Sequence, residues 1–491
     1  MSSNNNSFRY PLPTQQFIHG QWVDAKGSKT LTLLSSVDDS VVVENFRQAD
    51  ENDVDEAVAS AEKGLVQWQA LSNEERRTIL LKLADSVQQN AEKLAYLEAI
   101  LVGKPIGMAK SLDVNSLIGS LRYFAGFVDK NEGDLMLDKD GFLRGTLHQP
   151  FGITAAVIPF NAPLTILGMK IGPGLASGNA IIVKASERNP FSTLAVAELA
   201  IEAGVPPGVL NFIVGGPASG DRLARHESIR MISFTGSPAV GKLVAAAAAS
   251  SNLKRVTLEL GGKSPVLVFA DADIPTALRN CMAFTAMNGQ ACAVATRIYV
   301  QEEIAESFVA GLTQMAQGMG KMLGGDPLDE RTITSPLYNH AQKERVLAFL
   351  ESGRGDAETL VGGEPWGEKG CFVKPTIFYK PAANARVLKE EIFGPVAIID
   401  TFKTEEEALI KANDTIYGLS AYAWTNSIDR ALRLCKSMDA GSIAINTPIP
   451  THTTIPFGGW KESGTGQENS KYAMRAWTQP KSIVIKFNPT I

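Results

Sequence analysis

Short apolar runs alternate with segments of helical length between residues 151 and 260, and this alternation limits the folds open to the chain. The runs are Ile153–Ile158, Ile181–Lys184, Val209–Val214 and Arg230–Phe234. Their length and flanking residues predict buried strands, and the segments between them are long enough for helices. Strands and helices that alternate in this way form right-handed crossovers and a parallel sheet, which binds ligands at the carboxyl ends of its strands.

The rest of the chain divides into three further kinds of segment. Residues 52–103 show helical periodicity, and 128–149 together with 481–487 are strand-like and predict an interface arm. A second strand–helix alternation follows Leu260 and predicts a second α/β unit. Its predicted strands are Pro265–Phe269, Arg297–Val300, Ala397–Phe402 and Ser442–Ile445, and its predicted helices lie near 303–317 and 404–412.

Composition excludes several classes of partner. With 491 residues the chain is long enough for two or three domains. Its net charge of −5 makes nucleic acid and anionic membrane surfaces poor partners. No apolar run reaches the ~18 residues that span a bilayer, and the N-terminus lacks the apolar core of a signal peptide. We therefore expect a cytoplasmic protein that does not insert into membranes.

Cysteine and histidine spacing does not predict a metal site. No Cys-x-x-Cys or His-Glu-x-x-His pattern occurs, and so few cysteines in a long chain do not form a disulfide framework. The remaining question is whether one cysteine is a nucleophile. The cysteines are Cys281, Cys292, Cys371 and Cys435, and the histidines are His19, His148, His226, His340 and His452.

The segment from Phe234 to Lys242, Phe-Thr-Gly-Ser-Pro-Ala-Val-Gly-Lys, combines the end of a strand with the start of a helix at Pro238. A helix N-terminus presents free N–H groups and a positive dipole end to a phosphate. The string matches GxxxxGK, but Leu243 follows it where a nucleotidase needs Ser or Thr for magnesium. The residues alone leave open a phosphate site and an ordinary strand–helix turn.

Three more residues could carry chemistry. Glu187 follows a buried strand closely enough to accept from ribose hydroxyls, although the residues alone favour a solvated charged turn. Cys292 lies among small residues in a stretch that we interpret as running from a loop into a helix, where a thiolate is favoured. A buried inert thiol is the alternative. Glu259 ends an apolar strand, and apolar surroundings would raise its pKa and suit it to general-base work.

The order of seven motifs along the chain is more specific than any one of them, and by it the chain resembles the NAD(P)-dependent aldehyde dehydrogenase superfamily. The resemblance extends from about residue 17 to 487. The motifs are Phe160-Asn-Ala-Pro163, Lys184-Ala-Ser-Glu187, Phe234-Thr-Gly-Ser237, Leu258-Glu-Leu-Gly-Gly262, Gly289-Gln-Ala-Cys292, Glu391-Ile-Phe-Gly-Pro395 and Pro456-Phe-Gly-Gly459.

The resemblance implies an α/β fold with a Rossmann-like parallel-sheet cofactor domain, an α/β catalytic domain and a small β arm for oligomerisation. It also implies a homodimer or homotetramer. The implied ranges are 1–127 and 150–258 for the cofactor domain, 259–455 for the catalytic domain, and 128–149 and 470–491 for the arm.

The resemblance also assigns catalytic roles. Cys292 would attack the aldehyde, and Asn161 with the Cys292 backbone N–H would hold the thiohemiacetal oxygen. Glu259 would activate the water that hydrolyses the resulting thioester. Lys170 matches a position linked to proton relay, with a structural role as the alternative.

NAD is the implied cofactor, and the resemblance distributes its contacts over several motifs. Lys184, Ser186 and Glu187 would lie at the adenosine ribose, where Glu187 would repel the 2′-phosphate of NADP. The remaining implied contacts are Gly216 beside the adenine, Phe234, Gly236 and Ser237 at the pyrophosphate, and Glu391 and Phe393 at the nicotinamide ribose and ring.

Departures from the family pattern concern the substrate. Ala162 and Met169 stand where many members carry aromatic rings, so we expect a wide tunnel and a medium-chain or aromatic aldehyde. Two alternatives remain: an enzyme of the same fold that transfers the acyl group to coenzyme A, and a non-catalytic scaffold. The intact Glu259 argues against the first, and Cys292, Glu259 and Asn161 together argue against the second.

Overall fold

The computed structural model describes residues 8–448 and 451–487. The first seven residues of the predicted cofactor domain, two residues of the loop before Thr451 and the last four residues of the predicted arm therefore lie outside the described residues. Within the described part, no helix is both long and apolar enough to cross a membrane.

The helices of the described residues are labelled α1 to α16 in chain order. A π-helical turn, Ala109–Val114, precedes α5, and a 3₁₀ segment, Met282–Gly289, follows α10. The helices are Glu51–Ala70, Asn73–Gln89, Ala91–Ala99, Ile106–Met108, Asn115–Ala125, Pro163–Ala176, Phe191–Glu202, Pro217–Arg225, Pro238–Ala249, Ile274–Cys281, Glu302–Gly320, His340–Asp356, Arg386–Lys389, Glu405–Asn413, Ile428–Ser437 and Ser470–Ala476.

The strands of the described residues are labelled β1 to β22 in the same way. They are Gln16–Ile18, Gln21–Val23, Thr30–Leu34, Val41–Arg47, Leu135–Leu137, Phe142–Pro150, Ile153–Val157, Ala180–Ala185, Leu210–Val214, Met231–Thr235, Arg255–Glu259, Ser264–Val268, Ala295–Gln301, Glu358–Val361, Thr376–Tyr379, Val396–Phe402, Tyr417–Gly418, Ser420–Trp424, Ser442–Ile445, Trp460–Lys461, Gly464–Thr465 and Thr478–Lys486.

The first alternation of strands and helices forms the parallel core of a mixed sheet with the order β2-β1-β9-β8-β7-β10-β11-β21. Strands β7 to β11 are parallel to one another, whereas β1, β2 and β21 pair antiparallel. The central strands β8 and β9 are buried along their whole length, because helices cover both faces. This explains why they appear in the sequence as continuous apolar runs.

Connections in this sheet run in opposite directions from its middle strand. The chain passes from β7 to β8 and β9 on one side, and then crosses to β10 and β11 on the other. At such a reversal the loops after neighbouring strands separate and leave a crevice at the carboxyl edge, where ligands bind. The loops after β7 and β10 border this crevice.

The second alternation forms another sheet, with the order β14-β15-β16-β13-β12-β18-β19. All its neighbouring pairs are parallel except β14 with β15. Residues 260–263 join the last parallel strand of the first sheet to β12 of the second. A short linker therefore connects the carboxyl edge of the first sheet to the amino edge of the second.

Strands β5, β6 and β22 form a separate antiparallel sheet, in which β6 and β22 pair over nine residues. Residues 128–149 and the C-terminal strand were expected to meet in this way. The sheet exposes large apolar side chains, as an interface arm would, but its role in oligomerisation stays a prediction. These side chains are Leu135, Met136, Leu137, Leu147, Val484 and Ile485.

A buried charge cluster supports the segment that leads into α6. Lys104 Nζ donates to Glu98 Oε1 at 2.9 Å and to Asp113 Oδ2 at 2.8 Å, and all three side chains are at most 3% exposed. Thr165 of α6 donates to the other oxygen of Asp113. A buried cluster of this kind holds its elements firmly, since breaking it would leave a charge unpaired.

The predicted fold class is confirmed as an α/β architecture with parallel sheets. The predicted domain boundaries stay a prediction. One pairing bears on them: Gly464–Thr465 adds to β11 at the edge of the first sheet, so a segment from near the C-terminus returns to that sheet.

Candidate active site

The residues expected to act together lie at the carboxyl ends of neighbouring strands. Asn161 follows β7, Lys184 is near the end of β8, Gly216 follows β9 and Ser237 follows β10. Glu259 is the last residue of β11. Because these strands are parallel, their carboxyl ends share one edge of the sheet, and the sequence motifs converge there.

Cys292 lies in a turn that leads into a strand, so the prediction of a helix after it was wrong. The residues that follow form β13, and the preceding 3₁₀ segment is broken because Met287, Asn288 and Gly289 all have positive φ, between 48° and 74°. Consecutive left-handed residues end a helix and reverse the chain. We call residues 287–293 the cysteine loop. No helix N-terminus stabilises its thiolate.

Side-chain hydrogen bonds of Gln290 fix the cysteine loop. Its Nε2 donates to Met287 O at 2.9 Å and to Pro336 O at 3.0 Å, while its Oε1 accepts from Tyr338 N at 2.9 Å. The Asn161 side-chain amide donates to Gln290 O at 2.9 Å. The predicted oxyanion donor is therefore attached to the loop that carries the predicted nucleophile.

The Cys292 thiol is half-buried, and burial raises its pKa to about 12. The carboxylates of Glu391 and Glu259 raise it further, while the N–H groups of Cys292 and Ala293 act in the opposite direction. The thiol is therefore protonated at neutral pH in this arrangement. A base or a nearby positive charge must help it to become a nucleophile.

The carboxyl group of Glu259 is desolvated and unpaired. The residue is 5% exposed, and neither of its oxygens has a hydrogen-bond partner among the described residues. Burial raises its pKa well above the ordinary value, Glu468 raises it further and Lys170 lowers it. The expected direction of the pKa shift is confirmed, and burial is its main cause. Such a carboxylate is a strong base once it has lost its proton.

The linker after β11 brings Glu259, Glu391 and Cys292 together. A Cβ atom on Gly261 would lie 2.1 Å from Glu391 Oε2, and one on Gly262 would lie 2.5 Å from Cys292 O. The Gly262 N–H donates to Glu391 Oε1 at 3.1 Å. The two glycines are therefore required for the close approach of their backbone to these groups.

The Glu391 motif packs directly against the cysteine loop. Burial raises the pKa of Glu391 to about 7, while the Gly262 N–H, Arg345 and Lys263 act to lower it. A Cβ atom on Gly289 would lie 1.9 Å from Gly394 O, so these two loops touch through their backbones.

Aromatic packing connects the Glu391 motif to the segment after β7. Phe393 has a φ of 56°, and its ring contacts the edge of Phe160 at a centroid distance of 6.0 Å. Phe160 thus packs against the Glu391 motif next to Asn161.

A buried polar chain behind Glu259 contains a residue that sequence reasoning missed. Lys170 Nζ donates to Glu468 Oε1 at 2.8 Å and to Ser233 Oγ at 2.6 Å. Lys170 does not hydrogen-bond Glu259, but its charge lowers the pKa of Glu259. Glu468 lies almost 300 residues from Lys170, and only its place in the Gly-rich segment after Phe457 could have drawn attention to it.

The predicted adenosine-side residues form a compact turn after β8. Lys184 is 7% exposed, and its amine lies 3.6 Å from Glu187 Oε2. Burial lowers the pKa of Lys184, while Glu187 raises it. Ser186 Oγ accepts from the backbone N–H of Arg188. Lys184 therefore keeps donor capacity for a ligand, because its contact with Glu187 exceeds a normal hydrogen-bond length.

The helix that starts at Pro238 provides the predicted phosphate position. Ser237 is its N-cap, and its hydroxyl accepts from Val240 N at 3.5 Å. A Cβ atom on Gly236 would lie 2.5 Å from the Phe234 ring, so that turn also requires glycine. Val240 and Leu243 are exposed on the first turns of the helix.

These observations fit a dinucleotide. The start of α9 offers N–H groups to a phosphate, and its exposed aliphatic side chains offer a flat apolar surface to a base. Gly216 is the N-cap of α8, which packs against α9. A Cβ atom there would lie 2.7 Å from Gln48 Oε1, so a side chain at this turn would have to displace the end of the Gln48 side chain.

Tyr338 and Arg188 form a second feature that sequence reasoning missed. The Tyr338 ring packs on Phe160 at a centroid distance of 3.9 Å, and the Arg188 guanidinium lies 4.6 Å from the Tyr338 ring centroid. Arg188 also lies 3.8 Å from Glu187 Oε1. These contacts join segments about 150 residues apart, and no local pattern predicts them. They put a positive charge next to the carboxylate expected to select the cofactor.

Comparison with known proteins agrees with this architecture. The family model described as "Aldehyde dehydrogenase family" matches residues 22–483. The cytosolic aldehyde dehydrogenase 1 of Macroscelides proboscideus is 38% identical over 481 residues, which cover 97% of this chain and 95% of that protein. Retinaldehyde dehydrogenase 3 of Homo sapiens is 39% identical over 479 residues, covering 96% and 93%.

Solved structures give the same result. The P. syringae indole-3-acetaldehyde dehydrogenase AldA, in complex with NAD⁺ and IAA, superposes with a TM-score of 0.94 at 34% identity and 98% coverage of both chains. The aldehyde dehydrogenase KauB of Pseudomonas aeruginosa gives 0.94 at 35% identity and 97% coverage of both chains. The chain belongs to the aldehyde dehydrogenase family, and the predicted resemblance is confirmed.

The contact between Gly289 and Gly394 generates a testable prediction. We expect Gly289→Ala to lower kcat/KM for aldehyde oxidation by at least about 100-fold, because the cysteine loop must move by an ångström or more to admit the methyl group. The φ of 74° adds strain for alanine. Steady-state kinetics on the folded variant, checked by circular dichroism, measure the effect.

Gly318→Ala is the matched control, because a Cβ atom at Gly318 meets nothing within 4 Å and the residue lies within α11. It should keep full activity and gain up to about 1 kcal/mol of stability from alanine's higher helix propensity. Normal activity of the Gly289 variant would show that the two loops need not touch.

Proposed function

We propose that this chain oxidises an aldehyde to its carboxylic acid with NAD, through a thiohemiacetal and then a thioester on Cys292. The observation that carries the proposal is the arrangement of the cysteine loop, in which the Asn161 amide is bonded to Gln290 O and the linker after Glu259 touches Cys292 O. Membership of the aldehyde dehydrogenase family supports the same chemistry.

In the proposed first step the Cys292 thiol gives its proton to water, and its sulfur attacks the aldehyde carbon. Asn161 Nδ2 carries two N–H groups, and one of them already donates to Gln290 O. The other N–H and the Cys292 backbone N–H would donate to the oxygen as it gains negative charge. A donor of this kind is worth about 2.7–4 kcal/mol of transition-state stabilisation.

NAD would accept the hydrogen and the electron pair that the aldehyde carbon loses. AldA and a second indole-3-acetaldehyde dehydrogenase, both similar to this chain, were solved with NAD⁺, which supports the cofactor. Lys184, Ser186 and Glu187 would hold the adenosine ribose and Glu391 the nicotinamide ribose. Gly216 would border the adenine, Phe234, Gly236 and Ser237 would border the pyrophosphate, and Phe393 would pack near the nicotinamide.

Glu259 would then take a proton from the water that attacks the thioester. Its desolvated carboxylate has no competing partner among the described residues, so it can accept that proton directly. Lys170 donates a hydrogen bond to Glu468. Glu468 raises the pKa of Glu259, and Lys170 lowers it. We assign Lys170 to this proton transfer as a positioning residue.

Two alternatives are less well supported. Acyl transfer to coenzyme A would not need a hydrolytic base, yet the base is intact and desolvated. A non-catalytic scaffold would not need Cys292, Glu259 and Asn161 together.

The location and the assembly of the protein also stay proposals. We propose a cytoplasmic protein, and we propose that the exposed apolar sheet of β5, β6 and β22 joins subunits into a homodimer or homotetramer.

The aldehyde is proposed to be medium-chain or aromatic. Ala162 and Met169 lie half-buried on one side of α6, which begins directly after Asn161 and Ala162. A Cβ atom on Gly119 of the neighbouring α5 would meet nothing within 4 Å, so there is open space beside that residue. Each substrate methylene buried there would contribute about 0.8 kcal/mol.

The role of Cys292 is tested by Cys292→Ala. The variant should lose aldehyde-dependent NADH formation by at least about 10³-fold, because no other group can form the thiohemiacetal. NAD binding should remain, since the proposed cofactor contacts involve other side chains. NADH absorbance measures turnover. Cys435→Ala is the matched control, because that thiol is exposed. Substantial turnover by the Cys292 variant would exclude the mechanism.

The role of Glu259 is tested by Glu259→Gln in rapid-mixing experiments. We expect a burst of NADH followed by slow turnover, because acylation survives while thioester hydrolysis loses its base. Since the pKa of Glu259 is raised, its basic form increases with pH, so hydrolysis by the unmodified enzyme should accelerate with pH. That acceleration should vanish in the variant. Glu462→Gln, on a partly exposed carboxylate, is the control. Equal loss of burst and steady rate would assign Glu259 to an earlier step.

Cofactor choice is tested by Glu187→Gln. The unmodified enzyme should prefer NAD at least several-fold, because two negative charges about 4 Å apart repel by about 1–4 kcal/mol. The variant should lose this preference and also leave Arg188 free to attract the 2′-phosphate of NADP. The ratio of kcat/KM with NAD to kcat/KM with NADP measures this preference. Glu202→Gln, at an exposed residue, is the control. An unchanged ratio would show that Glu187 does not face the ribose.

Substrate class is tested with a panel of aldehydes and Ala162→Phe. The unmodified enzyme should have a higher kcat/KM for medium-chain or aromatic aldehydes than for acetaldehyde. The added ring should selectively lower activity towards the bulkiest aldehydes, because it fills the open space. Ile166→Leu keeps the local volume on the same helix and serves as control. A preference for acetaldehyde, or equal loss for all substrates, would contradict the wide tunnel.

A further inference from the structure

Three segments that are distant in sequence meet beside the first residue of α12. They are the turn between β3 and β4, residues 337–340, and residues 370–371. Cys371 N donates to Ser36 O at 2.9 Å, and Cys371 O accepts from Leu337 N at the same distance. The Ser36 hydroxyl donates to Tyr338 O at 2.6 Å. These bonds fix the relative positions of the three backbones before any ligand binds.

Each segment contributes one side chain that can bind a metal ion. The ligating atoms of Asp39, His340 and Cys371 all lie within 4.8 Å of one another. His340 Nε2 lies 2.7 Å from Asp39 Oδ1, and the Gly370 N–H donates to Asp39 Oδ2 at 2.9 Å. One imidazole, one carboxylate and one thiol therefore converge from three different parts of the chain.

The backbone at Asp39 has a φ of 64°, in the left-handed region that Asp adopts more readily than most residues other than glycine. The Gly370 N–H and the His340 ring fix the orientation of its carboxylate.

We propose that Asp39, His340 and Cys371 bind a zinc ion, with water as a fourth ligand. Zinc accepts thiolate, imidazole and carboxylate together at about 2.0–2.3 Å, in a tetrahedral arrangement. Donor atoms in such a site are about 3–4 Å apart, so the present spacing closes on an ion with side-chain movements of about 1 Å. Magnesium and calcium prefer oxygen ligands and are poorly suited to the thiol.

Binding at this site releases one proton. The S–H bond of Cys371 breaks, an S–Zn bond forms and the proton passes to solvent. Because this thiol must lose its proton to bind the ion, affinity should increase with pH. Lys343, whose amine donates to Gly370 O at 2.9 Å, opposes the cation, whereas the carboxylate and the thiolate together supply two negative charges.

The bound ion would fasten the β3–β4 turn to the first residue of α12. From the same helix, Gln342 donates to Phe393 O at 2.9 Å. The ion therefore stabilises a helix end that also supports the Glu391 motif and that follows Tyr338, whose N–H donates to Gln290 of the cysteine loop. The site is separate from Cys292, and its occupancy should raise the melting temperature without using that thiol.

Cobalt substitution tests the proposal, because Co²⁺ bound to a thiolate absorbs in the near ultraviolet. Since Cys292 could also bind a metal, the full-length Cys292→Ala variant is the reference. It should develop this band at one equivalent of Co²⁺, more strongly as pH rises, and excess Zn²⁺ should abolish the band. Zn²⁺ alone should raise its melting temperature.

Further substitutions in the Cys292→Ala variant test the individual zinc ligands. Adding Cys371→Ser should remove the band, and adding His340→Ala should weaken cobalt binding at least tenfold. Cys435→Ser and His452→Ala, at exposed residues elsewhere, should change neither result. His340 is more than half exposed, so its removal should leave the fold intact even if the serine variant proves unstable. A reference without the band, or a band that survives loss of His340 unchanged, would overturn the proposal.

Discussion

The rest of the site depends on the close approach of three glycine residues to the groups that face them. Gly261 and Gly262 let the linker between the two sheets touch Glu391 and Cys292 O, and Gly289 lets the cysteine loop touch Gly394 O. A Cβ atom at any of these positions would lie 2.5 Å or less from the neighbouring group, so one of the two would have to move. The residues of the site lie at the edges of the two sheets. The glycine contacts then determine how closely the Cys292 thiol, the Asn161 amide and the carboxyl groups of Glu259 and Glu391 approach one another.

Burial then controls the charge of the groups that the glycines assemble. It is the largest cause of the raised pKa values of Cys292, Glu259 and Glu391, and both glutamates also raise the pKa of Cys292. Each negative charge makes the next one more costly, so the groups lose protons in sequence and influence one another. The proposed order, in which the thiol reacts first and Glu259 acts as a base later, is consistent with this coupling.

Much of the fold could be predicted from the sequence, because its strands are local apolar runs. Ser442–Ile445 agrees to the residue, and the helix at Pro238 begins where its proline predicts. The prediction of a helix after Cys292 was wrong, because Met287 and Asn288 adopt positive φ although neither is a glycine. Glu468, Tyr338 and the proposed zinc ligands could not be found, because each depends on partners more than 100 residues away in sequence. Glycine and charge motifs identify a site, whereas its supporting contacts arise only from the fold.

The central claim is that oxidation proceeds through an acyl group on the sulfur of Cys292. Mass spectrometry of Glu259→Gln protein, quenched with acid during turnover of an aldehyde, tests this most directly. Slow hydrolysis should leave one acyl group per chain, and peptide mapping should assign it to Cys292. Absence of the acyl mass despite an NADH burst, or its location on another residue such as the buried amine of Lys263, would contradict the account.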